Sequence, residues 1–360
     1  MFKNYKVLFA FFAVCVFAVF GSAEHGRCAG KTYYLKIAHT SPPTLEDKLE
    51  YSNNEFKKFV EAKSNGRITV KTFPAGQLGG EREILEGIQM GSIEMGSISN
   101  GAYPSIYKNI MVFDLPYLFA TYEIAYKVLD GPVGQEILAD LNKKTGLKVL
   151  LFGENGYRNF TNSVRPIRKP ADVKGLKIRT MENPAHMAMV KTLGGNPIPM
   201  PYPEVYSALA QKALDGQENP VGTIMSSKFQ EVQKYMSLDG HLYSPILFTM
   251  NGKLYASMDA EDKKIIDEGA KVWQKACRDF QRKASADGVA VLKKAGMQVE
   301  ELTPAEIKEF QKATRAVWDD FGKKNIDQQL IVKVVKAVAE AENAIAKEKT
   351  AKPAAKKSKK

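Results

Sequence analysis

Residues 156–180 read GYRNFTNSVRPIRKPADVKGLKIRT. Two short strand-like pieces flank a loop that contains Pro166 and Pro170, and each piece carries an arginine. Arg158 sits in the first. Arg179 closes the second, the alternating run Leu176-Lys177-Ile178-Arg179, entered through Lys174 and Gly175. Asp172 is placed to start a helical turn. A guanidinium at a strand end is a rigid, permanently charged fork suited to a carboxylate. On residue type alone an arginine at a strand end is more often a solvated surface charge or a structural salt bridge, so the surrounding chain has to decide.

Upstream, Tyr33 to Ala38 alternates apolar and polar residues, the period of a strand. After a loop over His39 to Pro43, a helix is expected from near Thr44, with Leu45, Leu49, Ser52, Phe56, Phe59 and Val60 on one face and Gly66 at its end. Arg67 to Phe73 reads as a second strand. A glycine-rich loop leads to a helix carrying Ile84, Leu85 and Ile88, and Ile93 to Ser99 reads as a third strand. Repeated β-loop-α units predict a parallel sheet with crossover helices. Ligands bind such sheets at the carboxyl ends of the strands. The loops at His39–Pro43, Ala75–Glu81 and Ser99–Ala102 then share one rim.

Helical segments follow at Glu123–Val128 and Gly134–Lys144, and a buried-type strand at Leu147–Phe152. A second set of elements begins at Gly156. It continues with a helix at Pro184–Leu193, a strand at Ile198–Met200 and a helix at Glu204–Leu214. Asp215-Gly216 stops that helix, and Pro220 biases Asn219 to an extended conformation. Tyr235–Leu238 and Ile246–Met250 read as strands that cross back to the first set. From Ala260 to Ala295 helical spacing persists without a proline, a length on the order of 50 Å, enough to lie across two lobes. A further helix is expected over Pro304–Phe321.

The ends of the chain carry other information. Lys3 and Lys6 precede an unbroken apolar run from Val7 to Phe20, followed by Gly21-Ser22-Ala23. This is the pattern of a cleaved secretory signal over residues 1–23, and at 14 residues the run falls short of the roughly 20 that span a bilayer. Arg27 before Cys28 argues against a lipoprotein. Of a net charge of +12, +6 comes from seven lysines and one glutamate in residues 346–360. That stretch has no aromatic residue and reads as a Lys-rich disordered tail. The remaining chain is only mildly basic, which argues against nucleic-acid binding.

Catalytic constellations are missing. His25, His39, His186 and His241 have no partner at metal-ligand spacing. There is no GxSxG, no GxGxxG and no phosphate loop, and no cofactor or metal is expected. Two α/β lobes without such groups point to binding without turnover. An exported enzyme acting on organic acids is the alternative, and it would need Glu81 or Glu218 as general base. A sensor subunit presenting a ligand to a receptor would share the same cleft chemistry.

The motifs FPAGQLGGEREILEGIQMG at 73–91, FDLPYLF at 113–119, GYRNFTNS at 156–163, GLKIRT at 175–180, PMPYPEVYSAL at 199–209 and DGQENP at 215–220 occur in one order and spacing. With them the chain resembles the solute-binding subunits of tripartite ATP-independent periplasmic (TRAP) transporters, of the dicarboxylate-binding DctP type, over about Tyr34 to Lys323. The resemblance implies a two-lobed periplasmic binding-protein fold of α/β class, with a ligand cleft between the lobes and a long lobe-spanning helix. Lobe I would hold 32–155 and about 244–283, and lobe II 156–243 and about 284–330. It also implies a monomer in the periplasm that captures a small organic acid and delivers it to a TRAP membrane permease. Carried over by motif, Arg179 makes the main salt bridge to the ligand carboxylate and Arg158 supports it or touches a second polar group. Asn219 and Tyr202 join them. Thr40, Ser99, Asn100 and Glu81, with Arg82 nearby, are the positional matches from the first lobe. Some sialic-acid binders carry a charged pair where this chain has Ser99 and Ala102, which argues against that ligand. Two arginines suit a dicarboxylate, or one carboxylate with hydroxyls, and the sequence leaves that choice open.

Overall fold

The computed structural model describes residues 31–357, with side chains to 349. The secretory signal expected over residues 1–23 and Cys28 lie outside the described residues. The first strands are β1 (Tyr33–Ala38), β2 (Ile68–Phe73) and β3 (Met95–Ser99). β1 lies between β2 and β3, parallel to both. The connecting helices are α1 (Lys48–Lys63) and α2 (Glu81–Met90). α1 begins four residues later than Thr44. Asp47 is its N-cap, accepting from Leu49 N at 2.8 Å, and Leu45 stays 58% exposed in the preceding turn. A carboxylate is among the strongest N-caps, so it outcompetes the threonine behind Pro43.

Helices α3 (Tyr122–Leu129) and α4 (Pro132–Thr145) lead into β4 (Leu147–Asn162). The other side of the sheet holds β5 (Lys177–Thr180), α5 (Pro184–Thr192), β6 (Asn196–Pro199), α6 (Val205–Ala210), β7 (Gly216–Pro220) and α7 (Val221–Ser226). β8 (Tyr235–Asn251) returns, α8 (Gly252–Ser257) turns the chain, and α9 (Ala260–Lys294) follows. β9 (Gln298–Glu301), α10 (Pro304–Ala313), α11 (Lys323–Asn325) and α12 (Gln328–Lys357) complete the described chain. The sheet order is β2-β1-β3-β8-β4-β7-β5-β6, with β9 pairing β8.

Three long elements hold the two lobes together. β4 and β8 are single strands of 16 and 17 residues, where the sequence predicts separate shorter ones. Gly153, Gly156, Gly240 and Pro245 read as breaks. Instead, β-bulges absorb the irregularity, with register shifts after Val149, Glu154 and Arg158, and the antiparallel ladder carries on. The third element is α9, 35 residues long as the spacing predicts. At Gly269 a Cβ would meet Val60 Cγ1 at 2.7 Å on α1, and at Gly288 it would meet Val221 Cγ1 at 2.7 Å on α7. Glycine at these two turns lets one helix pack closely on both sides of the molecule. Trp273, between them, stacks on Phe248 of β8 and donates to Asn53 Oδ1 at 2.8 Å.

Other elements are shorter than expected. The helix over Pro304–Phe321 ends at Ala313, and a π-helical turn at Val317–Gly322 swings Trp318 round to Pro116 O at 3.0 Å. The helix expected over Glu204–Leu214 keeps only α6. Over the described part of the stretch read as a tail from 346, α12 continues as helix to Lys357. Alanine and lysine favour helix, and a helix already docked at Leu330 and Val334 needs no new nucleus to extend, which works against the cost of Pro353 in its last turns.

Candidate functional site

The carboxyl ends of β1, β3 and β5, with β4 and β7 beside them, open onto one cleft. Thr40, Ser41, Lys48, Glu81 and Ser99 line it from one bank. Asn155, Arg158, Arg179, Tyr202, Asn219 and Thr223 line it from the other. Seven of the eight sequence-selected residues therefore meet. The eighth, Asn100, does not line the cleft. It is fully buried and donates to Asp114 Oδ2 at 2.9 Å, an acceptor it shares with Asn183, the N-cap of α5. Its polar side chain ties β3 to α5 rather than facing a ligand.

Arg179 is held in β5 between Ile198 of β6 and Gln217 of β7. Its side chain is 2% exposed. Nε and Nη2 donate to the Met200 carbonyl at 3.0 and 2.6 Å, and the Tyr202 ring centroid lies 5.8 Å from the guanidinium carbon. Among the described residues no carboxylate comes within 4.0 Å of it. Burial first, and then the Arg158 charge, push its pKa down to about 10. It stays a cation at neutral pH, but one deprived of both water and a counter-ion.

Arg158 is different. It projects from β4 and forms a two-pronged pair with Glu218 of β7, Nε to Oε2 and Nη2 to Oε1 at 2.8 Å, with the Glu218 carbonyl at 2.5 Å from Nη2. His241 Nε2 lies 3.2 Å from Glu218 Oε2 and its Nδ1 lies 2.6 Å from Asp239. His186 lies 3.2 Å from Asp114 and 3.7 Å from Glu218. Burial by itself would raise the Glu218 pKa, yet Arg158 and the two histidines hold it well below the usual carboxylate range. Burial would lower His241, yet Asp239 and Glu218 push it up to about 9. Arg158 thus enters the cleft with its charge already balanced, and Glu218 is fully buried among its ion-pair partners.

Asn219 donates to Gln217 Oε1 at 2.5 Å, which fixes its amide as the extended backbone before Pro220 predicts. The Tyr202 hydroxyl pairs with Ser227, and burial keeps it protonated. On the opposite bank, Glu81 Oε1 accepts from Ser99 N at 2.8 Å and Ser99 Oγ at 2.7 Å. Arg82 pairs outward with Glu86 at 3.0 Å. His39 is buried beside Glu50 at 2.9 Å.

Lys48, Asn155 and Thr223 went unselected in the sequence. Lys48 is 3% exposed, and its Nζ donates across the cleft to Thr223 Oγ1 at 2.9 Å. Beside it, Ser226 Oγ donates to Asp47 Oδ2 at 2.9 Å. The two banks are therefore in contact. One cue to Lys48 was available: a cation in the first turn of a helix opposes the helix dipole, and a broken local rule often marks a functional position. Among the described residues no cluster of His, Cys, Asp or Glu could hold a metal, and no helix is long and apolar enough to cross a membrane.

Residues 37–325 match the model of the family described as bacterial extracellular solute-binding protein, family 7 (DctP). The chain belongs to this family. A solute-binding protein of Verminephrobacter eiseniae (strain EF01-2) is 43% identical over 244 residues, 68% of this chain and 72% of the relative. The 2,3-diketo-L-gulonate-binding periplasmic protein YiaO of Escherichia coli (strain K12) is 35% identical over 271 residues, 74% of this chain and 80% of its own. The crystal structure of the sugar acid binding protein DctPAm from Advenella mimigardefordensis strain DPN7T, in complex with galactonate, superposes with a TM-score of 0.83 at 33% identity, covering 87% of this chain and 99% of that one. Members of the family are binding components of TRAP transporters, not enzymes. They bind small organic acids and work with TRAP membrane subunits. The α/β, two-lobed architecture is theirs as well.

Proposed function

We propose that this family 7 solute-binding protein takes its organic-acid ligand by the carboxylate on Arg179, and that Arg158, Asn219, Tyr202, Thr40, Ser99 and Glu81 complete the shell. One observation carries the assignment. Arg179 is a buried guanidinium at a β-strand end, aimed at the cleft and lacking a protein carboxylate within ion-pair distance among the described residues. Two parallel hydrogen bonds to a ligand acid would neutralise it. Arg158, already paired with Glu218, supports Arg179 and offers at most a neutral-pair contact.

The lobes divide as 32–155 with about 244–283, and 156–243 with about 284–330. The bulge between Glu154 and Gly156, opposite Pro245 and Ser244, supports the crossing points. The protein acts as a monomer in the periplasm after loss of its N-terminal signal, and the ligand draws the lobes together in proportion to its extra affinity for the closed form.

Isothermal titration with a panel of small organic acids tests the assignment. Arg179→Met is expected to weaken binding by about 2–5 kcal/mol, and Arg179→Lys to restore little of it, since an ammonium lacks the fork. Arg179→Met binding as tightly as the unmodified protein would overturn the assignment.

A further inference from the structure

The charges that line the cleft do not cancel, and their imbalance has a direction. Arg158 and Glu218 neutralise each other at hydrogen-bond distance. Three charges remain: Arg179 on one bank, Lys48 and Glu81 on the other. Lys48 is 3% exposed, and among the described residues no carboxylate lies within 4.0 Å of its Nζ. It has three donors, and among the described residues its ammonium donates to Thr223 Oγ1 alone. Thr223 in turn donates to Asn155 Oδ1 at 3.2 Å, while the neighbouring Asp47 carboxylate is taken up by the α1 cap and by Ser226. Glu81 uses Oε1 for both bonds from Ser99, and Oε2 has no protein partner among the described residues.

We infer that the site is built for a monocarboxylate bearing several hydroxyl groups, and that Lys48 is a specificity-determining residue for it. This rests on the reading of Arg179 given above. One carboxylate on Arg179 pairs that cation and leaves Lys48 with open donors and Glu81 with an open acceptor. A hydroxyl donates to Glu81 Oε2, and another hydroxyl oxygen accepts from Lys48. A hydroxyl does both, as donor and acceptor. A second carboxylate would pair with Lys48, but it places a like charge on the bank that holds Glu81 and leaves that acceptor without a donor. A plain apolar monocarboxylate would leave the Lys48 ammonium and Glu81 Oε2 unpaired in a desolvated cleft.

The test uses the full mature chain and three probes: galactonate, succinate and butyrate. Titration calorimetry should show galactonate binding on the order of tenfold or more tighter than succinate, with butyrate weaker still. Lys48→Met, which keeps the buried stem, should lower galactonate affinity by roughly tenfold to a hundredfold. Glu81→Gln should narrow or reverse the gap between galactonate and succinate. Lys48→Gln serves if the methionine variant does not fold, and the ranking in the unmodified protein needs no variant. The inference fails if succinate binds as well as galactonate, or if both Lys48 variants bind galactonate unchanged while Arg179→Met does not. If none of the three binds, or if Arg179→Met also leaves binding unchanged, the Arg179 assignment itself falls and this inference with it.

Discussion

Glu218 is a buried carboxylate gripped by Arg158, His241 and His186 at once. Removing such a partner leaves charges stranded without water, so Glu218→Gln is expected to destabilise the protein by about 3–5 kcal/mol in urea unfolding. The same cluster sets a pH dependence. The His241 pKa is about 9 in the folded protein and near 6.5 when unfolded. Its raised value contributes stability that is fully present below pH 6.5 and is lost as pH rises through 9. Glu154 adds to the trend. Burial pushes it up to about 7, against the pull of Tyr126, Arg282, Arg278 and Lys48, so ionising it between pH 4.5 and 7 erodes stability further. The melting temperature should therefore fall from pH 5 to pH 9. His241→Gln should flatten the part above pH 6.5, and Glu154→Gln the part below pH 7, each by on the order of 2–3 kcal/mol. Unchanged slopes in both variants would contradict this account.

At the level of elements, helix α9 depends on glycine where it crosses α1. Gly269→Val would drive a branched side chain into Val60 and Phe56, neither of which can yield far in a packed core. A cost of about 1–3 kcal/mol is expected from thermal unfolding, despite valine's better helix propensity than glycine's. That helix was legible in the sequence because 35 residues of unbroken spacing leave little alternative. β1 was equally legible, from strict alternation over Tyr33–Ala38. The continuity of β4 and β8 was not, since Gly156 and Pro245 signal breaks locally and only the pairing of each with the other overrides them. At the site, Arg179 and Arg158 stood out by type and motif, but their inequality did not. Glu218, the residue that separates them, lies 60 positions from Arg158 and becomes its neighbour through the β4–β7 ladder. Asn100 misled because a polar residue after a strand end looks alike whether it faces a cleft or a buried Asp114.

Across the whole molecule, the described conformation has its banks joined by Lys48–Thr223 and Asp47–Ser226. Ser226→Ala removes one such bond without touching the α1 cap. It should cost under about 1.5 kcal/mol of affinity and shift the ligand-free protein toward a larger radius of gyration in small-angle scattering, with the bound protein unchanged. A ligand-free radius equal in both proteins would refute a role for that contact in closure. The sheet order also governs when the molecule can form at all. β3 pairs on one side with β1, made early, and on the other with β8, which is complete only at Asn251. α9, which covers Phe56 and Val60, comes later still. A growing chain thus carries its first hundred residues as an open-edged fragment until more than two thirds of it has been synthesised. Such a polypeptide is committed to late, long-range assembly, a property that would suit a chain threaded through a narrow pore before it folds.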